Sequence, residues 1–170
     1  MTKAVHQFVG EAEQSDDLTI LALQYKHQQP DIRYQRSLTL PNDVQTVPKL
    51  TGFIESVCEA AELDMAVCMQ LNLAIEEAVV NVMKYAYPKD VKGMVNIEAS
   101  ISDKGLKFVI SDNGVPFDPT AKEDVDTSLS AEERGIGGLG IHLIRQIMDS
   151  INYEYVEGRN VLTLGKKVKG

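Results

Sequence analysis

The sequence predicts an α+β two-layer sandwich, a mostly antiparallel sheet with its helices on one face. Three observations predict it. The strand-like runs come largely in pairs joined by short turns, which makes neighbouring strands antiparallel. The two longest helical patterns follow one another directly instead of alternating with strands. Hydrophobic residues make up 44% of the 170, enough to bury one core of ordinary size.

Taken in order, residues 1–30 stand apart from the rest. Residues 5–9 and 18–23 are short β-type runs joined by an acidic stretch, and the polar segment 26–31 reads as a linker. Ile32, Tyr34, Leu38 and Leu40 alternate as in a strand that stops at Pro41. A helix is expected over 47–61. Asp64 is placed to cap a second, longer one that Pro88 ends near residue 87. Residues 95–101 and 106–111 form a hairpin about Asp103-Lys104-Gly105. Residues 113–137 lack periodicity and are rich in Gly, Pro, Asp and Glu. That is long for an idle connection, so this stretch is either a functional lid or disordered. Leu139, Leu143, Ile144 and Ile147 mark one side of a helix over 139–149. Residues 151–156 and 161–167 close the chain as a hairpin about Glu157-Gly158-Arg159-Asn160.

Charge and cysteine usage exclude some classes. A formal net charge of -8 argues against a sequence-independent grip on nucleic acid, which needs clustered Lys and Arg. An acidic body can still hold a nucleotide where backbone amides, a metal ion and a few cations face the phosphates. Cys58 and Cys68 fall in helical patterns without a CxxC or Cys/His cluster, so two buried, reduced thiols are expected, as in a cytosol. No uninterrupted apolar run approaches the roughly 20 residues of a membrane span, and no signal peptide opens the chain. A cytoplasmic protein is expected.

Three segments can carry chemistry. In the long helix, Cys68, Leu71, Ile75, Val79 and Val82 share a core face, with Gln70, Glu77, Asn81 and Lys84 opposite. Glu77 and Asn81 lie one turn apart. Such a pair is either a solvated face or a carboxylate that orients and deprotonates a hydroxyl beside an amide oxygen that ligates Mg²⁺. Ser111-Asp112-Asn113-Gly114-Val115-Pro116-Phe117-Asp118 follows a strand. It is either a turn or a site where Asp112 accepts from an exocyclic amine such as that of adenine, Gly114 letting the flat base approach. Gly135-Ile136-Gly137-Gly138-Leu139-Gly140 opens the last helix, as a hinge or as an anion cradle of backbone amides. Gly135, Gly137 and Gly140 satisfy GxGxxG, but no strand precedes them, which excludes the dinucleotide fingerprint. No Gly-Lys-Ser/Thr follows, which excludes a Walker loop.

Read together, the three segments resemble the asparagine box and the two glycine boxes of the GHKL ATPase superfamily. Glu77-Ala78-Val79-Val80-Asn81 with Lys84-Tyr85-Ala86-Tyr87, Asp112 to Asp118, and Gly138-Leu139-Gly140-Ile141 resemble those of the bacterial anti-sigma-factor serine kinases most closely. The likeness runs from about residue 32 to 167 and implies a Bergerat-type ATP-binding fold. It implies Mg²⁺ on Asn81, the adenine amine on Asp112 with Gly114 against the base, and phosphates at Gly138, Leu139 and Gly140 under a lid over 119–137. Glu77 would be the general base for a serine of a partner protein, and Thr163 would place a hydroxyl near the adenine. The implied partners are an anti-anti-sigma protein of the STAS type and a sigma factor, with the chain itself dimerising through its sheet and first strand.

The likeness has one departure. Family members can carry an arginine near the γ-phosphate two positions before the GxG; here Ile136 stands there, and Arg134 would serve only if the lid bends inward. A nucleotide-controlled binding module that sequesters a sigma factor or regulates a fused phosphatase, with little or no phosphotransfer, is therefore the alternative. Residues 5–23, with Asp16-Asp17 before a strand, resemble the end of a type-2C-like serine phosphatase. The expected division is a phosphatase remnant and linker over 1–30 and the ATPase domain over 31–170.

Overall fold

The computed structural model describes residues 31–121 and 138–168. The expected phosphatase remnant, Arg134 and most of the expected lid lie outside the described residues.

The chain begins with β1 (Ile32–Pro41) and a 3₁₀ turn (Val44–Thr46), where Asp43 accepts from the Gln45 amide at 3.0 Å. Helix α1 (Pro48–Ala60) starts on a proline, whose missing N–H would have had no helical partner anyway. It ends in a left-handed residue, Glu62 at φ 52°, with the Leu63 amide donating back to the Cys58 carbonyl at 3.0 Å. Helix α2 (Met65–Tyr85) opens as expected, the Asp64 carboxylate accepting from the Val67 amide at 2.9 Å. It stops at Tyr85, because Pro88 already steers the preceding residue out of the helical region.

There follow β2 (Met94–Ser102), β3 (Gly105–Asp112), a 3₁₀ turn (Pro119–Ala121), α3 (Gly138–Ile147), β4 (Ser150–Val156) and β5 (Arg159–Lys166). Among the described residues the strands form one sheet in the order β1-β2-β3-β5-β4, each neighbouring pair antiparallel. This is the expected α+β architecture.

The sheet alternates as a half-buried sheet must. Val95, Ile97, Ala99 and Ile101 of β2, Leu106, Phe108 and Ile110 of β3, and Leu162 and Leu164 of β5 are buried. Their neighbours, among them Asn96, Glu98, Val109 and Thr163, stay partly exposed on the other face. The core is completed by Leu71, Ala74, Ile75, Ala78 and Val79 of α2 and by Ile141, Ile144 and Ile147 of α3. By length and composition α2 could cross a membrane. Here it is a core helix packed against α1, α3 and the sheet.

Two expectations change. Cys58 and Cys68 are not separate thiols: the tight α1–α2 turn sets their Cα atoms 5.8 Å apart and they form a disulfide. The β4–β5 turn is shorter than expected, only Glu157 and Gly158, both at positive φ (52° and 75°) as a two-residue primed turn requires. Arg159 and Asn160 are thereby strand residues. The inward row of β5 then begins with Asn160, beside the inward row of β3 that ends at Asp112, and the register pairs these two residues directly.

Candidate functional site

The C-terminal half of α2 organises the site. Asn81 is buried at 7% exposure, not on a solvated face, and its Nδ2 donates to Glu77 Oε1 at 3.2 Å. The Glu77 carboxylate lies over Gly140 at the start of α3. A Cβ on Gly140 would overlap it, meeting Cδ at 2.5 Å and Cγ at 2.6 Å. Sequence-distant Glu77, Asn81 and Gly140 therefore meet, and Gly138 and Leu139 form the first turn of the same helix. The donation by Nδ2 leaves the Asn81 carbonyl oxygen as the atom suited to a hard cation. Among the described residues no group of three or more His, Cys, Asp or Glu side chains could hold a metal by itself. A cation here would need most of its ligands from elsewhere.

A second cluster lies where β3 ends. Asp112 is 2% exposed. Its Oδ1 accepts from the Gly114 amide at 2.8 Å and from Asn160 Nδ2 at 2.9 Å, while its Oδ2 is buried with no partner. Burial pushes the carboxyl above its ordinary range; the hydrogen bonds from Asn160 and Gly114 and the charge of Arg159 oppose that shift. A buried, unpartnered carboxylate oxygen is costly unless something donates to it. Gly114 has no room for a side chain, since a Cβ would strike the Ala86 carbonyl oxygen.

The tail of α2 ties the second cluster to the first. The Ala86 carbonyl accepts from the Val115 amide at 2.7 Å. The Tyr87 hydroxyl lies 2.8 Å from the Met94 carbonyl and 3.1 Å from Asn113 Oδ1, and the Tyr85 ring stacks on Phe117 with centroids 5.3 Å apart. Burial, then the Asp112 charge, pushes the Tyr87 hydroxyl above its ordinary value.

Asn160 is the residue that sequence reasoning missed. Besides Asp112, its Nδ2 donates to the Val115 carbonyl at 3.0 Å, and its Oδ1 accepts from the Phe117 amide at 3.0 Å and from the Tyr153 hydroxyl at 2.7 Å. Its signal was a polar residue leading an apolar alternating row, hidden when the turn was drawn two residues too long. Thr163 drops out of the site. It pairs with Val109 on the partly exposed face, whereas Asp112 and Asn160 belong to the buried rows.

Residues 40–166 match the histidine kinase-like ATPase domain. The chain belongs to this ATPase family. Serine-protein kinase RsbW of Listeria monocytogenes serovar 1/2a is 32% identical over 130 residues, covering 74% of this chain and 83% of that protein, which places the chain in the serine-protein kinase branch. RsbW of Bacillus thuringiensis is 36% identical over 96 residues, 54% of this chain and 59% of that protein. The RsbU and RsbW domains of Rv1364c from Mycobacterium tuberculosis share the fold, with a TM-score of 0.55 at 14% identity over 80% of this chain and 35% of theirs. In this ATPase domain, the buried Oδ2 of Asp112 is an acceptor left open to a donor from outside the protein.

Proposed function

We propose that this ATPase-family domain is an anti-sigma-factor-type serine kinase that uses Mg-ATP to phosphorylate a serine of a small anti-anti-sigma protein of the STAS type. The observation that carries the reading is the Glu77 carboxylate laid across Gly140 at the head of α3 and hydrogen-bonded by Asn81 one turn on. From Glu77 to Ala86 the helix axis advances about 13 Å at ~1.5 Å per residue, the scale of an extended nucleoside triphosphate. Asp112 Oδ2 would take the 6-amino group of adenine, and the amides at Gly138, Leu139 and Gly140 would face the phosphates at a helix N-terminus. The Asn81 carbonyl oxygen would hold Mg²⁺, which draws charge off the phosphate oxygens when bound. Glu77 would orient the partner's serine hydroxyl and accept its proton as it attacks the γ-phosphate.

A sigma factor as second partner and pairing of two copies through edge strand β1 go with this reading. Incubation with Mg-[γ-³²P]ATP and the cognate partner should label a partner serine. Glu77→Gln should remove the label and leave nucleotide binding in place; labelling that survives takes Glu77 out of the role. A tight partner complex that needs ATP but transfers no phosphate would indicate sequestration instead, the reading that Ile136 at the arginine position favours.

A further inference from the structure

Asn160 is 3% exposed and has every hydrogen-bonding capacity of its carboxamide engaged. Both Nδ2 hydrogens are taken by Asp112 Oδ1 and the Val115 carbonyl, and Oδ1 receives the Phe117 amide and the Tyr153 hydroxyl. The sense of the amide is fixed by its partners. A backbone N–H only donates and a backbone carbonyl only accepts, so a flipped amide would set donor against donor at Phe117 and acceptor against acceptor at Val115. Two consequences follow. Asn160 has nothing left to offer a ligand. Its N–H, with the Gly114 amide, holds Oδ1 of Asp112, and Asn160 is the one of the two that ties it across to β5, so that carboxylate presents its other oxygen, Oδ2.

We propose that Asn160 is a positioning residue for base selection: by clamping Asp112 between β3 and β5 it makes the site offer one fixed acceptor, which selects purines carrying a 6-amino group over those carrying a 6-oxo group. This rests on the nucleotide-binding reading above and adds to it the residue that sets its selectivity without touching the base. Tyr153 on β4 acts one step further out, its hydroxyl helping to fix the amide that fixes the carboxylate. The argument is geometric: a free carboxylate can rotate about its Cβ–Cγ bond and share either oxygen, and a loosened one can meet a different base edge. A charge-assisted hydrogen bond to a held acceptor is worth about ten- to a hundredfold in affinity, and holding the acceptor still is what preserves that difference.

The test is the ratio of affinities for ADP and inosine diphosphate, measured by calorimetric titration with Mg²⁺ on the full chain. The wild type should prefer ADP by at least tenfold. Asn160→Leu, close in size but without polar atoms, should lower that preference about tenfold by weakening ADP while inosine diphosphate changes little. A merely structural role would weaken both ligands equally and leave the ratio unchanged, which overturns the proposal. Tyr153→Phe removes one hydroxyl from a partly buried position and should lower the ratio several-fold; should Asn160→Leu fail to fold, an unchanged ratio in Tyr153→Phe overturns the proposal alone. Wild-type protein that binds neither nucleotide would refute the underlying reading instead, and with it this one.

Discussion

Asp112→Asn separates what this residue does for a ligand from what it does to the fold. In the folded chain Oδ1 already has two donors and the buried Oδ2 has none. An asparagine can keep its oxygen where Oδ1 is, leaving its NH₂ in place of Oδ2. Without ligand, the change exchanges an unpartnered oxygen of a buried carboxylate for an unpartnered neutral NH₂. Leaving a charged group unsatisfied costs more than the ~1–3 kcal/mol of a neutral one, while two charge-assisted hydrogen bonds become ordinary ones. The net effect on stability near neutral pH is a gain of roughly 0–2 kcal/mol. The pH dependence has a definite sign. Burial raises the Asp112 carboxyl above its ordinary 3.8, so the folded chain holds that proton longer than the unfolded one. Its contribution to wild-type stability therefore falls as pH rises from about 3.8 through the folded value, and the variant lacks that fall. The difference in midpoint should widen in favour of Asp112→Asn across that interval. With ligand the order reverses. The adenine amine loses a charged acceptor worth ~1.5–3 kcal/mol and meets a donor instead, so ADP should bind about 10- to 150-fold more weakly, while inosine diphosphate gains. Thermal unfolding between pH 4 and 8, with titrations of both nucleotides, measures each part. Unchanged ADP affinity, or a loss of several kcal/mol without ligand, would refute the reasoning.

Three further outcomes are expected. Gly114→Ala drives a methyl into the Ala86 carbonyl, a backbone group that cannot swing away, and should cost roughly 1–3 kcal/mol by denaturant titration while weakening ADP. Gly140→Ala would press on Oε1, Cδ and Cγ of Glu77 together, so that side chain must take another rotamer; the ~0.5–1 kcal/mol helical gain over glycine offsets part of the cost, leaving a loss of roughly 0–2 kcal/mol by denaturant titration, and phosphotransfer should fall about a hundredfold or more, the scale of a misplaced general base. Thr163→Val, on the opposite face of the sheet from Asp112, should leave ADP affinity within about twofold by titration, and a larger drop would return Thr163 to the site.

The parts of this fold that were legible in the sequence are those set by local chemistry. Asp64 and Pro88 mark the ends of α2 to within two residues, and Asp103-Lys104-Gly105 marks the β2–β3 hairpin. Glu77 and Asn81 were legible as a pair one turn apart, but not the burial of Asn81 or the partial cover over Glu77, because α3 packs onto the side of α2 that spacing alone assigns to solvent. Asn160 and Thr163 show the limit more sharply. In strands a boundary error of one or two residues decides which side chains lead the buried row, and drawing the turn through Asn160 hid the residue that meets Asp112. The disulfide was illegible for a related reason: Cys58 and Cys68 are ten residues apart, and only the angle of the α1–α2 turn brings them together.

The inward rows of β3 and β5 are apolar from Leu106 to Ile110 and from Leu162 to Leu164, and at the end where Asp112 and Asn160 pair a sequence selected for stability alone would continue with leucine or valine. Asp112 and Asn160 stand there instead, both nearly inaccessible. Replacing a buried polar pair by packed apolar residues is often neutral or stabilising, so this pair is a poor way to hold a sheet together. It is a good way to hold one oxygen still. Asn160 spends all its hydrogen bonds on the protein so that Asp112 can keep one oxygen back, and α2 carries the residues that meet α3 and leads directly into Ala86 and Tyr87, which anchor that loop. The rigidity of the Asp112 cluster and the chemistry at Glu77 thus meet on one helix and the short turn that follows it. A perturbation at Ala86 or Tyr87 should therefore register at Glu77 as well as at the base site.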